Sequence, residues 1–101
     1  MSRTQISQLT GTTQQITAQV NYITKANGKQ IVKLSHVSIN GILINHCWLY
    51  ASNFKTPFKF YKSSINRQIS FSAKIDTYHK IREGKKVMDY CLMDITNIKF
   101  I

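Results

Sequence analysis

Aromatic and cationic side chains interleave from Phe54 to Lys86, through Phe54, Lys55, Phe58, Lys59, Phe60, Tyr61, Lys62, Arg67, Phe71, Lys74, Tyr78, Lys80, Arg82, Lys85 and Lys86. This mixture suits a nucleic-acid surface. Cations neutralise phosphates and release condensed counterions, and flat rings stack on bases that are not hidden inside a duplex. Tyr22, Tyr50, Phe58, Phe60, Tyr61 and Tyr78 sit beside lysines, in loops or near strand ends, where a ring stays wet enough to meet a base. Phe58-Lys59-Phe60-Tyr61-Lys62 is the densest such run, although its rings would serve equally as an apolar flap packed on the domain. Phe71, Trp48 and Phe100 are expected inside, because a chain of this size must fill its core with its largest apolar groups.

Residues that could carry a reaction are sparse. The four acids, Asp76, Glu83, Asp89 and Asp94, show no spacing of a paired acid and base, and two-metal chemistry needs carboxylates. His46 and Cys47 are adjacent, so on a strand their side chains diverge rather than pair. His36, His46 and His79 lack ligand spacing, and Cys47 and Cys91 lie outside any C-x-x-C pattern. The four glycines, at 11, 28, 41 and 84, stand alone and build no phosphate loop. The reading is a non-enzymatic chain with no metal and no cofactor.

The elements that must position these groups are strands. Residues 1–15 are polar and without a strong period, which reads as a loosely held arm ending in a short edge strand. From 16 to 101 the pattern is one domain. Ile16, Ala18, Val20 and Tyr22 alternate with polar neighbours as a half-buried strand does. Asn27-Gly28 then turns the chain into a second strand over Gln30 to Ile39, and Asn40-Gly41 into a third over Ile42 to Tyr50. Ala51 to Arg67 is irregular and holds the only proline, Pro57, with a helical turn conceivable around Trp48 to Phe54. Gln68 to His79 is the cleanest strand, with Ile69, Phe71, Ala73 and Ile75 on one face. Gly84 marks a charged turn, and Val87 to Phe100 returns with its alternation slipping between Leu92 and Ile95, which predicts a bulge near Asp94.

About five strands with at most one short helix suit an all-β, five-stranded OB-fold barrel, since closure removes the sheet edges. An SH3-like barrel uses similar material, but the long connection between the third and fourth strands favours the OB type. In that fold Lys80, Arg82, Lys85 and Lys86 form one wall of a binding groove, and Lys25, Lys29 and Lys33 the other.

Composition agrees with an anionic partner. The 101 residues carry fourteen Lys and Arg against four acids, a formal net charge of +10, which is tolerated at the cost of self-repulsion. The N-terminus shows no apolar signal region and no segment is long enough to cross a bilayer, so a cytoplasmic protein with reduced thiols and no membrane partner is expected. The expected nucleic-acid surface comprises Tyr22, Lys25, Lys33, Tyr50, Lys59, Phe60, Tyr61, Lys62, Lys74, Tyr78, Lys80, Arg82, Lys85 and Lys86. Single-stranded DNA is the favoured partner. RNA on the same fold stays open, as does a protein-interaction module that offers its basic face to an acidic surface.

Three motifs add a resemblance: His46-x-Trp48 within Ile44 to Tyr50, then Ile69-x-Phe71-x-Ala73-x-Ile75-x-x-Tyr78, then Asp89-Tyr90-x-Leu92. Together they resemble the small OB-fold single-stranded-DNA-binding proteins of plasmids, phages and cassette elements of Gram-positive bacteria. The resemblance spans about half of the chain. It implies an accessory of replication or maintenance of a mobile genetic element, coating single strands beside a helicase or polymerase of the same element. It also carries over Trp48 and Tyr78 as rings of the binding face.

Overall fold

The computed structural model describes residue 6 and residues 8–101. Five strands follow in order: β1 (Thr13–Ala26), β2 (Lys29–Ile39), β3 (Ile42–Tyr50), β4 (Gln68–Arg82) and β5 (Lys85–Phe100). They form one antiparallel sheet in the order β3-β2-β1-β4-β5. All three hairpin turns pair a left-handed polar residue with a left-handed glycine: Asn27 and Gly28, Asn40 and Gly41, Glu83 and Gly84. Positive φ at both central positions matches the right-handed twist of the flanking strands, so these turns hold the hairpins in register.

Boundaries differ from the expectation at both ends of the sheet's long strands. β1 begins at Thr13, inside the segment expected to be a loose arm, because Thr13 to Gln19 pair with Lys74 to Gln68 of β4. Ahead of the strand, the Gly11 N–H donates to the Ile75 carbonyl at 2.7 Å, and Ile6 is buried in the core. The rest of the expected arm, residues 1–5 and 7, lies outside the described residues. β4 and β5 also run further into the basic tip than expected, meeting at the Arg82↔Lys85 pair.

The core is built by strands that change their buried parity. In β5, Lys74↔Met93, Ser72↔Thr96 and Ser70↔Lys99 match two residues of β4 to three of β5 at each step. Asp94 and Asn97 take positive φ, 52° and 58°, at the two extra positions. Leu92, Ile95 and Ile98 therefore face the same core at a spacing of three, opposite a β4 that alternates strictly through Ile69, Phe71, Ala73 and Ile75. The bulge expected near Asp94 is present, with a second one turn further on. β2 uses the same device at His36, φ 50°, where burial passes from Val32 and Leu34 to Val37 and Ile39.

The outer strands β3 and β5 are not joined by a continuous ladder. After β3 the chain makes one parallel bridge, Phe54 to Ile95, and the Lys55 N–H donates to the Ile95 carbonyl at 3.0 Å. What is established is thus one five-stranded antiparallel sheet, not the closed barrel expected. The connection between β3 and β4 carries two 3-10 turns, Ala51–Asn53 and Lys62–Ser64, where at most one short helix was expected. Each is closed by its last residue: the Tyr50 N–H donates to Asn53 Oδ1 at 2.7 Å, and the Tyr61 N–H to Ser64 Oγ at 3.3 Å. Gln30 clips this connection to β2, its Oε1 accepting the Phe60 N–H at 2.9 Å and its Nε2 donating to the Phe60 carbonyl at 2.6 Å.

Valine at position 94 or 97 should cost about 1–3 kcal/mol of stability, because a β-branched residue resists the left-handed conformation, whereas glycine there should be close to neutral. Chemical denaturation of Asn97→Val and Asn97→Gly checks this. Equal stability of the two would remove the bulge as a conformational requirement.

Candidate functional site

The ladder β1-β2-β3 sets three cross-strand rows on one face. Gln19, Ser35 and His46 make the first, Tyr22, Lys33 and Trp48 the second, and Thr24, Ile31 and Tyr50 the third. Tyr22 is 51%, Trp48 39% and Tyr50 48% exposed, so three large rings remain wet around one lysine. The Lys33 ammonium stands 5.7 Å from the centroid of the Trp48 ring, within cation–π reach. A bulge in β1 between Val20 and Tyr22 carries Tyr22 onto this face.

The face continues into a groove of about 760 Å³ between β3 and the β4–β5 hairpin. His46, Trp48 and Tyr50 line one side, and Tyr78, Lys80, Arg82, Met88 and Tyr90 the other. Tyr78 is 44% exposed and lies directly across from Asp89. Asp89 is itself buried: its Oδ2 meets the Lys80 ammonium, and its Oδ1 accepts the Tyr90 N–H at 2.8 Å. Lys80 therefore enters the groove already paired with a carboxylate, while Arg82 also lines it and Lys85 and Lys86 lie beyond it at the exposed tip. Cys91 also lines the groove, and its thiol is pushed up from the ordinary cysteine range, first by burial and then by the negative charges of Asp76 and Asp89.

The remaining expected site residues are elsewhere. Lys25 and Lys59 line a second depression of about 430 Å³, between the β1–β2 turn and the 54–60 segment. Phe60 is 2% exposed and packs in the core against Phe54 and Phe58, at centroid distances of 6.4 and 4.8 Å, so it is not a stacking ring. The apolar-flap reading of that run holds for Phe60, while Tyr61 stays exposed with the Lys59 ammonium 5.5 Å from its centroid. Lys62 opens a 3-10 turn and Lys74 pairs across to Thr13 and Met93, and neither lines either of these two depressions.

Two rings expected inside are not fully so. Phe100 is only partly buried and carries the Arg67 guanidinium 4.4 Å above its ring. Trp48 belongs to the exposed row, and the sequence held the signal for it. Trp48 and Tyr50 are two residues apart on one strand and must share a face, so a wet Tyr50 requires a wet Trp48. His46 follows by the same rule. Phe71 is fully buried, as expected.

Among the described residues no group of three or more His, Cys, Asp or Glu could hold a metal, and no helix is long and apolar enough to cross a membrane. Comparison of the chain with protein-family models, with curated proteins and with solved structures returned no match.

Because Cys91 is harder to ionise in the fold than in the unfolded chain, its alkylation should rise with pH later than that of a free cysteine thiol. The linked effect on stability has the opposite sense to a carboxylate salt bridge. Stability is full below the unfolded thiol's range and falls as pH rises through it, because the unfolded chain releases that proton first. Iodoacetamide rates followed against pH in a Cys47→Ser background check the direction, and a profile at or below that of free cysteine would contradict it.

Proposed function

We propose that this chain binds single-stranded DNA without catalysis and with little sequence preference. The reading is carried by the row Tyr22, Lys33 and Trp48, in which two wet rings flank a cation on one sheet face, with Tyr50 beside it and Tyr78 across the groove. Rings on a regular face are matched to successive bases, and every base offers a π-face whatever its identity. A duplex hides those faces. The net charge of +10 supplies the phosphate attraction that stacking lacks.

Strand order supports an OB-type arrangement as the finer fold. β1 pairs with both β2 and β4, and the chain after β3 meets β5 through the parallel bridge at Phe54 and Ile95, as a partly open five-stranded barrel would require. Binding on the face of the second and third strands, beside the loops joining strands one to two and four to five, is the mode of that fold. The Gram-positive mobile-element setting, a replication or maintenance role beside a helicase or polymerase, and a cytoplasmic location are part of the same proposal and rest on the sequence resemblance.

Oligo-dT should bind more tightly than duplex of equal length at matched salt, and oligo-U serves as the arm that separates DNA from RNA. Trp48→Ala and Tyr78→Ala should each cost about 1–3 kcal/mol of single-strand affinity with little change in stability. Phe71→Ala should do the reverse, at about 3–5 kcal/mol of stability. Equal or tighter duplex binding would leave only a basic surface and end the stacking reading.

A further inference from the structure

The ring-lined groove carries little uncompensated charge. Of its two cations, Lys80 is already held by Asp89, which leaves Arg82. The second depression has the opposite character: Lys25, Lys29 and Lys59 line it, no carboxylate does among the described residues, and Phe54, Phe58 and Val32 give it an apolar lining. Phe58 keeps about a third of its surface exposed while leaning on Phe60 and Phe100, so one ring is held rigidly with a face to spare. The two sites approach each other where β3 ends. Tyr50 lines the first and Ala51, the next residue, lines the second.

We infer that the second depression is a subsite for the same single strand, taking the phosphates of nucleotides that run past Tyr50 on Lys25, Lys29 and Lys59, with a base against Phe58. The inference rests on the single-strand reading and extends it to a path: stacking in the first groove, charge neutralisation in the second. Its occupant is set by charge complementarity and by continuity with the first face. The Gln30 clip on Phe60 and the Phe54 bridge to Ile95 hold the depression's wall in place before any ligand arrives.

Trp48, the only tryptophan, reports occupancy of the first groove independently. Two oligo-dT lengths, about 6 and about 16 nucleotides, span the range of one such domain. In the native chain the longer oligomer should bind more tightly and with a steeper salt dependence. Lys25→Gln/Lys29→Gln should lower its affinity roughly tenfold and flatten log K against log salt by about 1.4, two contacts at about 0.7 each, while short-oligomer affinity and Trp48 quenching stay within about twofold. Lys55→Gln/Lys99→Gln removes the same charge from positions lining neither site and should keep the gain with length. Equal losses in the two double variants, or a parallel loss for the short oligomer, would overturn the subsite and leave the single-strand reading standing. Absence of binding at either length in the native chain would overturn both.

Discussion

The conflict between two spacings governs this molecule. β4 presents a core residue at every second position, and β5 presents one at every third. Only residues able to take the left-handed conformation reconcile them, which is why Asp94 and Asn97 occupy the extra positions. Each bulge adds twist, and a sheet twisted in this way folds its outer strands toward one another. The groove between β3 and the β4–β5 hairpin, and the short bridge from Phe54 to Ile95, follow from that curvature.

Much of this was legible in the chain. The Asn-Gly pairs marked two turns, Gly84 the third, and the slip between Leu92 and Ile95 marked a bulge. The second bulge at Asn97 and the parity change at His36 were harder to read, because one left-handed residue disturbs the alternation without leaving a glycine behind. β1 starts early for a different reason. Its polar first residues are held by backbone pairing with β4 and not by side-chain burial, so no periodicity announces them. Whether the outer strands close is set by a few long-range backbone contacts that no local pattern encodes.

The candidate site was half legible. Charge and ring type singled out side chains on β1, β2 and the β4–β5 hairpin that the fold leaves at least partly exposed, yet composition cannot tell a wet ring from a buried one. Phe60 looks like its neighbours Phe58 and Tyr61 in sequence, but the Gln30 amide fixes its backbone and turns its ring into the core. Trp48 was assigned by size when parity should have decided. Asp89 matters in the same way. A single buried carboxylate withdraws one of the basic hairpin's lysines from the pool available to an anion, which a count of net charge does not show.

The strand order also constrains how the chain can fold. β1, β2 and β3 pair through local turns, as do β4 and β5, and the two units meet mainly along β1 and β4, where Ile16 faces Phe71. That contact closes a long loop before it is rewarded, so it is the slow step expected of a high-contact-order sheet. Until it forms, the two walls of the groove belong to separate hairpins. The surface that gathers rings from β3 and cations from β4 is therefore among the last parts of the molecule to exist.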